Sequence, residues 1–217
     1  MAGGSDTGTP RERYRAQVRE EIKKHAWEQI ATAGASALSL NAIAKRMGLS
    51  GPALYRYFAG RDDLIAELVR DAYRGLAETL RARAEAGAGL RGLAHALRAW
   101  ALADPQRYFL VYGTPLPGRH APEDTTRITS EIMAVVLGAC TAGPVAAGPP
   151  APPEAHRDGR RAWARAHPAP PRARRRALAF WTRLHGVLSL ELAGHYAEMG
   201  FDPARLYEAE TETVTEH

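Results

Sequence analysis

Apolar residues return at three- and four-residue steps along most of the chain, and no useful stretch alternates apolar with polar, so the pattern predicts helices and no sheet. From Arg11 to Gly34, Val18, Ile22, Ala26, Ile30 and Ala33 are separated by Arg, Glu and Lys, which predicts one amphipathic helix closed by a glycine. Ser39 precedes Leu40, Ile43, Ala44 and Met47 at spacings i, i+3, i+4 and i+7, so a short helix starts behind a serine cap and ends at Gly48. Ser50 caps the next helix, with Pro52 in its first turn and Leu54 and Phe58 on its buried edge. After Ala59-Gly60, Asp62 and Asp63 favour a helix N-terminus, and Leu64, Ile65, Leu68, Val69, Ala72, Tyr73, Leu76 and Leu80 carry the pattern on for about 25 residues.

The second half repeats the helical period with breaks. Leu90 to Ala103 predicts one helix, Pro105 to Tyr112 a shorter one opened by its proline, and Asp124 to Cys140 another with Ile128, Ile132, Val135 and Val136 on its apolar face. Eight of the fifteen prolines then fall between Pro144 and Pro171, so 141–171 is expected to be a mobile Pro/Ala/Gly/Arg-rich surface loop. Arg172 to Met199 predicts the longest helix of this half, and Pro203 opens the last. The expected fold is all-α: an N-terminal three-helix unit over 11–60, joined by a long helix to a C-terminal helical unit over 61–217.

A chain of 217 residues with 45% hydrophobic content can bury a core in one domain or two small ones. Its single cysteine, Cys140, excludes a disulfide framework and suits a reducing compartment. Neither a leader-like start nor a long apolar run stands in the sequence, so a cytoplasmic protein without membrane partners is expected. An enzyme is not. There is no Gly-rich phosphate loop and no G-x-S-x-G elbow. His185, Glu191 and His195 do not converge on one helix face, so no metal, cofactor or catalytic residue is assigned. The net charge of +5 matters through its placement: Lys and Arg exceed Asp and Glu by four between residues 1 and 60, where a polyanion would bind. The arginines at 172, 174, 175 and 176 form a second basic cluster, whose plain reading is a solvated face.

Residues 38 to 58 make a helix, a Gly-containing turn and a second helix, the layout of a helix-turn-helix. If Leu54 and Phe58 face inward, then Gly51, Tyr55 and Arg56 face outward with Tyr57 at the edge, and the slender Gly51-Pro52 start can enter a major groove. The pattern LSL..IAKRMGLS..ALYRYF..RDDL resembles the DNA-binding domain of TetR-family (tetracycline-repressor-like) regulators over about residues 18–70. The resemblance implies contacts to double-stranded operator DNA from Ser39, Asn41, Gly51, Pro52, Tyr55, Tyr57 and Arg61, and Lys45, Ser50 and Arg56 are expected beside them. Arg56 is left open between a guanine and a phosphate, and packing is the competing role for Tyr55 and Tyr57.

Two weaker signatures, Asp104 to Pro115 and Phe180-Trp181-Thr182-Arg183-Leu184-His185-Gly186-Val187, resemble the WHG-type effector domain of the same family. The resemblance implies a small-molecule effector pocket, with Trp100, Tyr108, Tyr112, Trp181 and His185 as candidates, against ordinary core packing as the alternative. It also implies a homodimer through a four-helix interface, for which Gly186, Ser189, Ala193, Ala197, Leu206 and Tyr207 are expected. Two recognition helices related by a two-fold would match a pseudo-palindromic operator. The expected function is therefore a homodimeric, ligand-released repressor. The alternatives are a helical small-molecule-binding protein with a vestigial helix-turn-helix, or a TetR-like activator.

Overall fold

The computed structural model describes residues 9–113, 123–142 and 168–216, and these are helical throughout, with no strand. The elements are α1 (Pro10–Ala33), a short 3-10 turn (Ala35–Ala37), α2 (Leu40–Arg46), α3 (Gly51–Leu54), α4 (Arg61–Glu85), α5 (Leu90–Ala103), α6 (Pro105–Tyr112), α7 (Glu123–Ala142), α8 (Pro171–Leu192) and α9 (Pro203–Glu216). Two compact units result, 1–69 and 70–217. The division falls inside α4 rather than at its start because the first turns of α4 are tied into the first unit. Ala59 N donates to the Asp63 carboxylate at 2.9 Å, and Arg61 donates to carbonyls at 35, 36 and 38.

In the first unit α1 packs against α2, and α2 against α3, and the buried side chains are Val18, Ile22, Ala26 and Ile30 of α1, Ile43 and Ala44 of α2, Leu54 and Phe58 around α3, and Leu64, Ile65 and Leu68 of α4. Local chemistry sets each boundary. Thr9 opens α1 with a capping box: its hydroxyl accepts from Glu12 N, and its own N–H donates to the Glu12 carboxylate at 2.7 Å. Ser39 and Ser50 cap α2 and α3, each accepting a backbone N–H at 3.3 Å. Gly48 then reverses the chain at φ +66, while its N–H and that of Leu49 satisfy the last carbonyls of α2.

In the second unit α8 packs against α7, α9 and α5, and α5 also meets α6, α7 and α9. Leu93, Leu97, Val136, Ala177, Phe180, Leu184 and Leu188 are fully or almost fully buried in it. Two features depart from expectation. The helix expected to reach Met199 stops at Leu192, because Gly194 at φ +79 closes it: Gly194 N donates to Glu191 O and His195 N to Leu190 O. Ala193 and Ala197 therefore do not share a face of α8, and His195 lies past its end. The loop expected over 141–171 lies outside the described residues except at its edges, where Thr141 and Ala142 finish α7 and Pro171 opens α8.

Candidate nucleic-acid interface

The facing expected from the spacing of α3 is observed. Leu54 and Phe58 are each 1% exposed, Tyr55 is 51% exposed, Pro52 and Arg56 are exposed, and Tyr57 and Gly51 are intermediate. Asn41 and Lys45 of α2 are exposed as well, and the Asn41 Oδ1 lies 3.9 Å from where a Cβ on Gly51 would stand. Tyr55 is exposed at the end of α3, while Ser39 and Asn41 stand at the start of α2 and Ser50 and Gly51 at the start of α3. There the unsatisfied N–H groups and the positive ends of both helices favour phosphate oxygens.

The surrounding charges are arranged to hold this face. Ser39 is gripped by Gln29 of α1, whose Oε1 accepts from Ser39 N at 2.9 Å. Arg46 pairs with Glu28 at 2.8 Å, and His25 lies beside the same carboxylate at 3.1 Å and holds it below the usual range. Arg61, expected on the DNA face, is directed inward. Its Nη2 donates to Ala35 O at 2.7 Å and Ser36 O at 3.2 Å, and its Nε to Leu38 O at 3.2 Å. Its geometry is that of a brace on the turn before α2.

Two arginines that sequence reasoning counted only as charge stand at the far end of α3. Arg15 Nη2 donates to Arg56 O at 3.1 Å, and Arg19 Nη1 donates to Tyr57 O. Arg19 also lies 4.2 Å above the Phe58 ring and 3.6 Å from the Glu67 carboxylate.

In the second unit four of the five residues named for an effector pocket come together. His185 is tilted against Tyr112 and Trp181 with ring centroids 4.3 Å from each, and Tyr108 stacks on it at 5.7 Å. Tyr73 of α4 joins through Tyr112 at 5.8 Å; nothing in its local pattern distinguished it from a core residue. Trp100 is packed differently, with the Arg107 guanidinium 4.6 Å above its ring and Arg107 Nη2 donating to its carbonyl.

The Tyr108 hydroxyl sits 3.0 Å from His185 Nδ1 and 2.9 Å from Ser189 Oγ. Burial lowers the His185 pKa to about 4, so the ring is neutral near pH 7. The same hydroxyl also lies 3.3 Å from the His185 carbonyl oxygen, and of the two ring nitrogens it is Nδ1, not Nε2, that it meets. Nε2 and the Tyr112 hydroxyl are both sealed from solvent without a hydrogen-bond partner, and burial raises the Tyr112 pKa well above its ordinary value.

Two expected interface residues belong instead to this interior. Tyr207 is 1% exposed and its hydroxyl donates to Ala94 O at 2.7 Å, so it belongs to the core of the second unit. Ser189 is directed at Tyr108. Gly186, Ala193 and Ala197 are exposed and Leu206 is intermediate. A cavity of about 870 Å³ also opens among α4, α5, α7, α8 and α9, lined by Arg81, Leu90, Val135, Gly138, Ala139 and Arg176 among others. None of the five named pocket residues lines it.

Comparison with known proteins agrees with this division. Residues 22–68 match the model described as bacterial regulatory proteins of the tetR family, and 90–214 the tetracyclin repressor-like C-terminal domain. The chain belongs to the TetR family of transcriptional regulators. It is 38% identical over 136 residues to the HTH-type transcriptional regulators Rv1816 of Mycobacterium tuberculosis and Mb1846 of Mycobacterium bovis. That match covers 59% of this chain and 58% of each relative. The crystal structure of SCO4313, a candidate regulatory protein, is 67% identical with a TM-score of 0.83, covering 95% of this chain and 98% of that one. FadR of Bacillus subtilis, crystallised with stearoyl-CoA, shares the fold at 14% identity and a TM-score of 0.61, over 90% of this chain and 97% of its own. The helix-turn-helix is thus the DNA-binding element of a TetR-family regulator, a family of transcription factors rather than enzymes. Among the described residues no helix is long and apolar enough to cross a membrane.

Proposed function

We propose that the protein is a homodimeric repressor that holds a pseudo-palindromic operator and leaves it when a small molecule enters the C-terminal unit. The observation that carries the DNA contacts is the exposed Tyr55–Arg56 edge at the end of α3, together with the capped starts of α2 and α3. In this reading Ser39, Ser50 and Tyr55 hold phosphates, Lys45 adds charge, and Gly51 and Pro52 let α3 approach base edges. Arg56 and Tyr57 provide the side chains that can read them.

The dimer is supported by the outward side of α8. Leu178 and Leu190 are 43% and 44% exposed, Thr182 lies between them, and a Cβ on Gly186 would meet nothing within 4 Å. Leu206 of α9 adds to the same kind of surface. Effector binding is supported by the enclosed His185 Nε2 and Tyr112 hydroxyl, because buried polar groups without partners are costly and a ligand atom can satisfy them. Release follows only if the ligand prefers a dimer geometry whose recognition helices fit the operator badly.

The test is selection of bound sites from random duplex DNA by the purified protein, followed by titration of the enriched site at two salt concentrations. A palindrome with steep salt dependence is expected. No enrichment from folded, dimeric protein would overturn the operator-binding reading and favour the helical small-molecule-binding alternative.

A further inference from the structure

The recognition helix is too short to hold itself. α3 has four residues with no glycine closing its end, and the chain leaves it through tightened turns: Arg56 N bonds Ala53 O at 3.3 Å and Tyr57 N bonds Leu54 O at 2.8 Å. The carbonyls of Arg56 and Tyr57 come after the last helical turn, where backbone acceptors lack helical partners and negative partial charge collects. Arg15 and Arg19, one turn apart on the same side of α1, meet those two carbonyls one each. Arg19 is itself fixed from two other directions, by the Phe58 ring beneath it and the Glu67 carboxylate beside it.

We infer that Arg15 and Arg19 are positioning residues that clamp the C-terminal end of the recognition helix, so that α1 sets the direction in which Tyr55, Arg56 and Tyr57 face the DNA. They act through the backbone of the residues proposed above to contact DNA, not by touching phosphate, and so rest on that assignment. This explains why charge counting misplaces them: both add to the basic excess of the first unit, yet their guanidinium groups are committed to carbonyls and, for Arg19, to a carboxylate.

The first arm of the test needs no DNA. Amide hydrogen exchange is compared among wild type, Arg15→Gln and Arg19→Gln. The clamp predicts about tenfold faster exchange over 55–58 in each variant, with α5 unchanged. Unchanged exchange there in both overturns the inference.

The second arm uses the duplex oligonucleotide enriched by the wild type from random DNA, so failure to enrich any site counts against operator binding and leaves the exchange result to judge the clamp. Each variant should lose about tenfold in affinity for that duplex and much less for random duplex. The slope of log affinity against log salt should not change, since no phosphate contact is removed. Arg19→Lys should be as weak as Arg19→Gln, because an ammonium lacks the fork and the flat face that serve carbonyl, carboxylate and ring together. Equal loss on both duplexes, a slope reduced by about one, and rescue by lysine would make the arginines phosphate contacts and overturn the inference. Arg15→Gln, an exposed position with one such bond, keeps the test usable should Arg19→Gln fail to fold.

Discussion

Tyr55 and Tyr57 differ in how much of the ring is free, and the difference sets what each substitution should do. Tyr55 is half exposed with no role in the core, so Tyr55→Phe should leave thermal stability unchanged while weakening binding to a selected operator by about tenfold through one lost hydrogen bond. Tyr57→Ala should weaken it further and lower the melting temperature as well, because the ring is partly packed. Operator titration and thermal unfolding on both variants check this, and unchanged binding in both would remove these residues from the contact set.

His185 has a pH signature with a definite sign. Its folded pKa of about 4 lies below the ordinary histidine value of 6.5. As pH falls through that interval the unfolded chain takes up a proton that the folded chain refuses. Stability should therefore be full above about pH 6.5, fall by at most about 3 kcal/mol on the way to pH 4, and change no further from this group below that. Urea unfolding at several pH values should find this component missing in His185→Gln.

At the scale of elements, α8 has a buried side and an apolar side left exposed. Its inner side, Leu184, His185, Leu188 and Ser189, closes the aromatic cluster, while Leu178, Thr182, Gly186 and Leu190 remain outside. If the outer side joins two subunits, Leu178→Glu combined with Leu190→Glu should give a folded monomer by sedimentation, with operator affinity reduced roughly tenfold or more. A dimer that survives both charges would place the interface elsewhere. The same helix shows how a local signal is overrun. Periodicity ran on to Met199, yet Gly194 was the stop in plain sight: a glycine at positive φ ends a helix at lower steric cost than other residues, and only backbone closure onto Leu190 and Glu191 tells which of two glycines, 194 or 200, did so.

For the whole molecule, effector binding and DNA binding should be separable. Tyr112→Phe removes an enclosed hydroxyl in the second unit and leaves the sequence of the helix-turn-helix unaltered, so it should bind the selected operator like wild type. In a release assay it should need more of any compound that frees the wild type from that operator. Equal release by every such compound would take Tyr112 out of the effector site.

The helical class, nearly every helix start, the cap residues Ser39 and Ser50, and the inward turn of Leu54 and Phe58 were readable from the sequence alone. Each depends on neighbours within a turn or two, through period, capping and backbone steric limits. The tertiary structure decided what each polar or aromatic group was for. Arg61 turned out to brace the carbonyls of a turn about 25 residues earlier, and Arg15 and Arg19 to close the end of α3. Tyr73 joined Tyr112, while Tyr207 reached Ala94 and left the expected interface. These partners are dozens of residues apart or more. A helical period shows which face is buried, but whether a guanidinium meets a phosphate or a carbonyl depends on which distant atoms the folded chain brings within about 3 Å of it.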